Sequence, residues 1–131
     1  YVPYTLHAGL LFVSGQGPLD ADGTLHTGLV GRDVSLEQAR DHARITAINL
    51  LAQMNAACGG DLGRIERVLK LFGMVRAVPD FGHQPEVIDG ASTLFVEVFG
   101  ERGRHARSAV GLGSLPRGIT VEIELIAAVR P

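Results

Sequence analysis

Residues 105–111 (HARSAVG), Leu115-Pro116 and residues 119–126 (ITVEIELI) together form the stretch that decides how this chain folds. The first segment predicts a short strand, and the glycine- and proline-containing residues after it predict a turn. The last segment alternates apolar and polar residues, which is typical of a second strand. Arg107 lies early in the first strand, and two glutamates lie on one face of the second. A guanidinium and a carboxylate held on two strands can bind a small anionic substrate and activate a water molecule.

The length and composition of the chain predict a single globular domain over residues 1–131. The net charge of −2 gives no overall attraction to nucleic acid or to a membrane surface. No apolar run approaches the roughly 18 residues that cross a membrane, and no segment resembles a signal peptide. The only cysteine, Cys58, excludes an internal disulfide, so we expect a reducing, cytoplasmic location.

Two amphipathic helices are predicted in the middle of the chain. Residues 35–38 (SLEQ) fit a capping box, and the apolar residues that follow recur at helical spacing, which predicts a helix over residues 36–58. A second helix begins near Pro85, with its apolar face along residues 87–99. Gly90 inside this second helix indicates close packing on the sheet.

Short apolar runs predict the other strands. Residues 10–13 and 68–75 are bounded by turn-forming residues and read as buried strands, and residues 24–31 as a weak strand or an extended loop. The predicted order is strands, helix, strand, helix, two strands, so each helix joins strands that can run in parallel. Because each helix has one apolar stripe, both can cover one sheet face. The apolar strands favour a covered second face as well, which predicts an oligomer.

Metal, nucleotide and nucleic-acid sites are not indicated by the sequence. The five histidines show none of the spacings typical of metal ligands. Ser14 is not part of a G-x-S-x-G motif, and the glycines at 15 and 17 are too close together for a phosphate-binding loop. The basic residues within 102–107 lack aromatic partners for bases. We therefore predict no metal, no cofactor and no nucleic-acid partner.

Arg107 is the most informative charged residue, because it lies where the apolar alternation of a strand has begun. An arginine in this position needs a planar partner that accepts two hydrogen bonds, such as a carboxylate. The partner could be Glu122 or Glu124, which would make a structural ion pair. It could instead be the carboxylate of a substrate, with a glutamate left to position water. The residues alone leave both alternatives open.

Five motifs in this order resemble the Rid family, the reactive-intermediate deaminases that are also described as translation inhibitors or L-PSP endoribonucleases. The resemblance covers nearly the whole chain, and its last three motifs are specific in combination. The motifs are residues 13–18 (VSGQGP), 47–51 (AINLL), 106–110 (ARSAV), Leu115-Pro116 and 121–124 (VEIE).

The resemblance implies an α+β fold of the chorismate mutase-like type, in which two helices pack on one face of a mixed sheet. It also implies a homotrimer whose sheets form a central barrel, with three clefts between subunits. Family members with this arginine hydrolyse reactive imines and enamines, such as 2-aminoacrylate, to 2-keto acids and ammonia without a cofactor. The expected partners are therefore a small carboxylate-bearing substrate and two further copies of the chain.

Carried over by position, the resemblance also implies roles for individual residues. Arg107 resembles the residue that pairs with the substrate carboxylate, and Glu122 resembles the residue that orients the attacking water. Tyr1 is similar to an aromatic residue that flanks the cleft, while Ser14 and Gly15 match a stretch that lines it. Glu124 receives no role from the resemblance.

Two departures from the family pattern indicate a divergent subgroup. Ala109 stands where common members have a cysteine two residues after the arginine, and its main chain is expected to contact the substrate in the same way. Residues 89–92 (DGAS) do not match the asparagine-bearing segment of better-known members. The alternative functions are a non-catalytic trimer that binds small carboxylates as a regulator or chaperone, and an endoribonuclease. The ribonuclease is the less favoured alternative, because the chain has neither a histidine pair nor a basic groove.

Overall fold

Five strands and two long helices make up the fold in the computed structural model, which describes residues 1–131. Three short 3-10 turns, at residues 62–64, 100–103 and 116–118, connect them. No helix combines the length and the hydrophobicity that crossing a membrane requires. The elements are β1 (Tyr4–His7), β2 (Leu10–Gln16), α1 (Leu36–Ala57), β3 (Ile65–Arg76), α2 (Gln84–Phe99), β4 (Ala106–Leu112) and β5 (Val121–Val129).

The strand β5 lies at the centre of the sheet. It pairs antiparallel with β2 on one side and with β3 on the other, while β3 pairs in parallel with the edge strand β4. A hairpin joins β1 to β2, which gives the order β1-β2-β5-β3-β4. The α2 connection therefore joins a parallel pair, as predicted. The α1 connection joins β2 and β3, which run in the same direction on either side of β5.

The first helix confirms the prediction from the capping box. The Ser35 side chain accepts a hydrogen bond from the Gln38 backbone N–H at 3.1 Å, and the Gln38 side chain accepts one from the Ser35 N–H at 2.9 Å. The helix ends at Ala57, with Cys58 buried as its C-terminal cap. One stripe of α1 is fully buried against the sheet and α2, and its residues are Ala39, Ala43, Ala47, Leu50 and Met54.

Both helices lie on one face of the sheet and leave the other face open. In β5, Val121, Ile123 and Leu125 are buried toward the helices, so the two glutamates between them point to the open face. This open face also carries large apolar side chains that remain about two-fifths exposed: Leu10 (39%), Phe12 (43%) and Val110 (37%).

The structure settles one alternative before the first helix and adds one strand. Residues 24–31, predicted as a weak strand or an extended loop, form a loop with isolated bridges such as that between Thr27 and Ile119. The strand predicted at residues 10–13 is present as β2, and β1 forms a hairpin with it. Ala8 and Gly9 adopt positive φ angles of 52° and 79°, the geometry of a tight two-residue turn, and this lets β1 pair with β2.

Gly90 also packs differently from the prediction. A Cβ atom at this position would overlap the backbone carbonyl oxygen of Arg40 in α1, so the close approach is between the two helices and not between α2 and the sheet. The contact lies near the middle of α2, next to Asp89. Gly90 therefore fixes how closely this part of α2 approaches α1.

We predict that Gly90→Ala destabilises the protein by about 1–3 kcal/mol, the usual cost of forcing extra volume into a packed contact. The sign of this change in stability is informative, because alanine in place of glycine normally stabilises a helix interior by about 1 kcal/mol. Chemical denaturation measures the free energy of unfolding. Gly82→Ala is the control, since a Cβ there meets nothing within 4 Å. A Gly90→Ala protein as stable as the wild type would contradict the close packing.

Candidate active site

A cavity with a volume of about 720 Å³ lies where β2 and β5 meet the turn at residues 116–118 and one side of α1. Four of the residues predicted to form the site line it together: Tyr1, Ser14, Gly15 and Glu122. No group of three or more His, Cys, Asp or Glu side chains is placed to hold a metal ion. The roles of the four residues stay predictions, but the fold brings these residues to one place.

An irregularity in strand pairing creates room for Glu122. The register between β2 and β5 shifts between Val13 and Gln16, so Ser14 and Gly15 leave the regular ladder. A Cβ atom on Gly15 would overlap the Glu122 carboxylate, so the glycine leaves the space in which the carboxylate lies against this backbone. The Ser14 side chain donates a hydrogen bond to the Val2 carbonyl oxygen at 2.8 Å. This bond holds the N-terminal segment, and with it Tyr1, beside the cavity.

Two further residues of this cavity have no predicted role. The Asn49 side chain donates hydrogen bonds to the carbonyl oxygens of Gly17 (3.0 Å) and Leu19 (2.9 Å), which attaches the loop after β2 to α1. Arg117 lines the cavity from a left-handed backbone conformation, with a φ of 57°. The sequence signal for Asn49 was its place in the 47–51 motif, whereas nothing in the sequence marked Arg117 as a lining residue.

Glu122 lies in an environment that disfavours its charged form. Burial raises the pKa of the Glu122 carboxyl, and the negative charge of Glu124 on the same sheet face raises it further. The carboxylate forms no hydrogen bond within the chain, so its oxygens are free to contact a water molecule or a ligand. A carboxylate with a raised pKa is a better proton acceptor than an ordinary one, which suits a general base.

Arg107 does not lie in this cavity, and its partner is neither Glu122 nor Glu124. The strand β3 separates β4 from β5, and Arg107 pairs with Leu71, which pairs with Leu125 on the helix-covered face. Glu122 pairs with Met74. Because Met74 is three positions from Leu71 along β3, Glu122 points to the opposite, open face of the sheet. Of the two alternatives for Arg107, the structural ion pair with a glutamate of β5 is therefore not formed, because the side chains point to opposite faces of the sheet.

The observed partners of Arg107 are on α2. Its Nη1 atom donates to the Asp89 carboxylate oxygen Oδ1 at 2.8 Å and to the Ser92 hydroxyl at 3.1 Å. The Arg107 side chain is 22% exposed and the Asp89 side chain 52% exposed. Nε and Nη2 of Arg107 have no hydrogen-bond partner within the chain. One nitrogen of the guanidinium is therefore held, and the other two form a free edge.

His105 fixes the direction of the Ser92 hydroxyl. The Nδ1 atom of His105 lies 2.6 Å from the Gly103 carbonyl oxygen, which only accepts hydrogen bonds, so Nδ1 carries the proton. Burial lowers the pKa of His105 and the Arg107 charge lowers it further, which keeps the ring neutral. Its Nε2 then accepts the Ser92 proton at 2.9 Å, and the Ser92 oxygen is left to accept from Arg107.

Ala109 follows Arg107 on the same face of β4, opposite Gly73 of β3. Its side chain packs against the hydrophobic core and does not line the cavity around Glu122. The predicted site residues thus fall into two groups in one chain. Tyr1, Ser14, Gly15 and Glu122 are together, and Arg107 and Ala109 are apart from them at the edge strand.

Comparisons with known proteins agree on one family. Residues 1–127 match the family model described as "YjgF/chorismate mutase-like, putative endoribonuclease". Protein TCP17 of Trypanosoma cruzi is 42% identical over 96% of this chain and 79% of its own length. A crystal structure of a protein of unknown function from Agrobacterium tumefaciens is 51% identical, with a TM-score of 0.97 over 100% of this chain and 83% of that one. RidA from the Antarctic bacterium Psychrobacter sp. PAMC 21119 is 26% identical, with a TM-score of 0.65 over 98% of this chain and 88% of that one.

We predict that Glu124→Gln lowers the pKa of the Glu122 carboxyl, because the substitution removes the neighbouring negative charge and leaves the burial of Glu122 unchanged. A pH titration of the side-chain carboxyl carbons by ¹³C NMR measures the shift. Glu66→Gln, a charge removal of the same kind at the exposed beginning of β3, serves as the control. An unchanged titration of Glu122 in the Glu124→Gln protein would show that Glu124 has no electrostatic effect on it.

Proposed function

This chain belongs to the YjgF/chorismate mutase-like family, which includes the Rid proteins, and we propose that it is a hydrolytic deaminase of reactive 2-imino and enamino acids. The products are 2-keto acids and ammonia. The observation that carries this proposal is the free edge of Arg107 formed by Nε and Nη2. The third guanidinium nitrogen, Nη1, is held by Asp89 and Ser92. This edge matches the two oxygens of a substrate carboxylate.

The active site is a cleft between two subunits of a homotrimer. Arg107 and Glu122 point to opposite faces of the sheet, so one chain cannot direct both at one small substrate. A neighbouring chain that covers the open face would shield the partly exposed Leu10, Phe12 and Val110 from water. We assign Arg107 of one subunit and the Glu122 cavity of the next to the same cleft, within a barrel of three sheets.

The proposed chemistry needs no cofactor, because a protonated imine is already electrophilic. Arg107 holds the carboxylate and Glu122 holds a water molecule against the imine carbon. The water oxygen attacks this carbon while Glu122 takes one of its protons, which gives a neutral carbinolamine. Glu122 then returns the proton to the nitrogen. The C–N bond breaks, ammonia leaves, and loss of the hydroxyl proton gives the 2-keto acid.

The non-catalytic alternative, a trimer that binds small carboxylates as a regulator, would use the same Arg107. The raised pKa of Glu122 favours catalysis, because a binding site has no use for a proton acceptor that lies unbonded in the cavity. An assay that generates 2-aminoacrylate in place and measures ammonia and pyruvate distinguishes the two functions. Only a deaminase makes ammonia and pyruvate form faster than they do in water without the protein.

We predict that Arg107→Ala reduces 2-aminoacrylate hydrolysis at least about 10-fold, since a charge-assisted pair contributes roughly 1.5–3 kcal/mol. Arg107→Lys should also lose most activity, because an ammonium group cannot offer two parallel N–H donors. Arg32→Ala is the control, since Arg32 is an exposed arginine that pairs with Asp33 and belongs to neither group of site residues. Full activity in Arg107→Ala, with an unchanged elution volume on a sizing column, would contradict the proposal.

A further inference from the structure

Two histidines that are far apart in the sequence, His26 and His42, form a stacked pair behind the cavity of Glu122. Their ring centroids are 4.4 Å apart and the ring planes differ by 19°. Nε2 of His26 lies 3.0 Å from the carboxylate oxygen Oδ2 of Asp20, and Nδ1 of His42 lies 2.8 Å from the Thr120 hydroxyl. This histidine stack therefore connects three parts of the chain: the loop after β2, the helix α1 and the residue before β5.

The histidine stack supports the wall of the cavity at the place where this loop meets the turn at residues 116–118. Leu25 of the loop and Ile119 after the turn both line the cavity, and each is next in sequence to one of the residues just described. The Gly28 N–H donates a hydrogen bond to the Gly118 carbonyl oxygen at 3.0 Å, which joins the loop to the turn. Separation of the stacked rings would therefore loosen this part of the wall.

The contact with Thr120 requires His42 to be neutral. The Thr120 side chain is fully buried, and its hydroxyl has no other hydrogen-bond partner within the chain. Nδ1 of a neutral His42 accepts the hydroxyl proton, and the ring proton is then on Nε2. A second proton on the ring would turn Nδ1 into a donor, which would leave the buried hydroxyl proton without an acceptor.

The surroundings of the stack also disfavour a charge on His42. Burial lowers the pKa of His42 and the neighbouring His26 lowers it further, while Asp41 and Asp20 act in the opposite direction without reversing the shift. Asp20 and Asp22 face His26 from its own loop. Two charged rings at this separation would repel each other, so the stack accommodates one positive charge better than two.

We propose that the histidine stack is a proton-sensitive contact, which holds the loop after β2 against the turn at residues 116–118 and releases it when both rings are protonated. In the released form His42 is exposed to water and has the ordinary histidine pKa of about 6.5, so it binds the second proton more tightly than in the closed form. Acidification below about pH 6.5 therefore favours release. The release itself needs no substrate. Its consequence, a loss of activity when the cavity wall opens, rests on the proposed deaminase function.

Hydrogen exchange of the Gly28 amide, corrected for the intrinsic effect of pH, measures this release directly. In the wild-type protein we expect the protection of this amide to fall several-fold between about pH 7.5 and about pH 5.5. His42→Asn places an amide oxygen near the position of Nδ1 and cannot titrate, so its protection should stay nearly constant over this range. His26→Gln removes the ring charge and keeps a donor for Asp20, so the fall should be smaller. His7→Asn is the control, because His7 is an exposed histidine of β1 outside the stack.

The pH dependence of 2-aminoacrylate hydrolysis tests the consequence for catalysis. In the wild-type protein, protonation of Glu122 and release of the loop both lower kcat/KM at acidic pH. In His42→Asn only the first remains, so this variant should keep several-fold more of its neutral-pH activity at about pH 5.5 than the wild type keeps.

Protection of Gly28 that is independent of pH in the wild-type protein, or that falls equally in His42→Asn, would overturn the inference. An identical loss of activity at acidic pH in both proteins would show that the loop does not regulate the site. If protection changes as expected but no imine is hydrolysed, the proposed function fails and the proton-sensitive contact stands. Circular dichroism confirms that each variant is folded, and His26→Gln supplies the comparison should His42→Asn not fold.

Discussion

The position of β3 between β4 and β5 is the constraint on which the rest of the structure depends. Strand pairing keeps residues in register across three strands, so each side chain is assigned to one face of the sheet or the other. This register directs Arg107 toward α2 and Glu122 toward the open face. The two groups that the proposed chemistry needs are thereby separated within a chain, so the proposed mechanism requires a second subunit.

The same arrangement divides the electrostatic tasks. On the helix-covered face, Arg107 is held by Asp89 and by a Ser92 hydroxyl whose direction depends on neutral His105. On the open face, burial and Glu124 raise the pKa of Glu122, so that it accepts a proton more readily than an exposed carboxylate. In the proposed mechanism, substrate orientation and proton transfer therefore come from different elements, each with its own supporting residues.

Local signals predicted most of the fold. The capping box at residues 35–38 gave the start of α1, and the period-2 alternation of β5 gave the faces of its side chains. The partner of Arg107 could not be predicted in this way. It depends on which strand lies between β4 and β5, a nonlocal choice that alternation within one strand does not encode. The close contact of Gly90 with α1 was assigned to the sheet for the same reason.

The candidate site was predictable only in part. The motif resemblance named Tyr1, Ser14, Gly15 and Glu122, and the fold places all four around one cavity. Asp89 received no role, because its meaning comes from its contact with Arg107 and not from its sequence position. The proposed division of the site between two chains also leaves no pattern within one chain.

Mixing two inactive variants tests the shared cleft most directly. Arg107→Ala and Glu122→Gln subunits, carrying different tags and refolded together, form mixed trimers that can be purified through both tags. If each cleft takes its arginine from one subunit and its glutamate from the next, every trimer that carries both variants has one cleft of its three with both residues intact. The activity of the doubly purified trimers should then be about a third of the wild-type value. Doubly purified mixed trimers that remain as inactive as either variant alone would contradict a cleft built from two subunits.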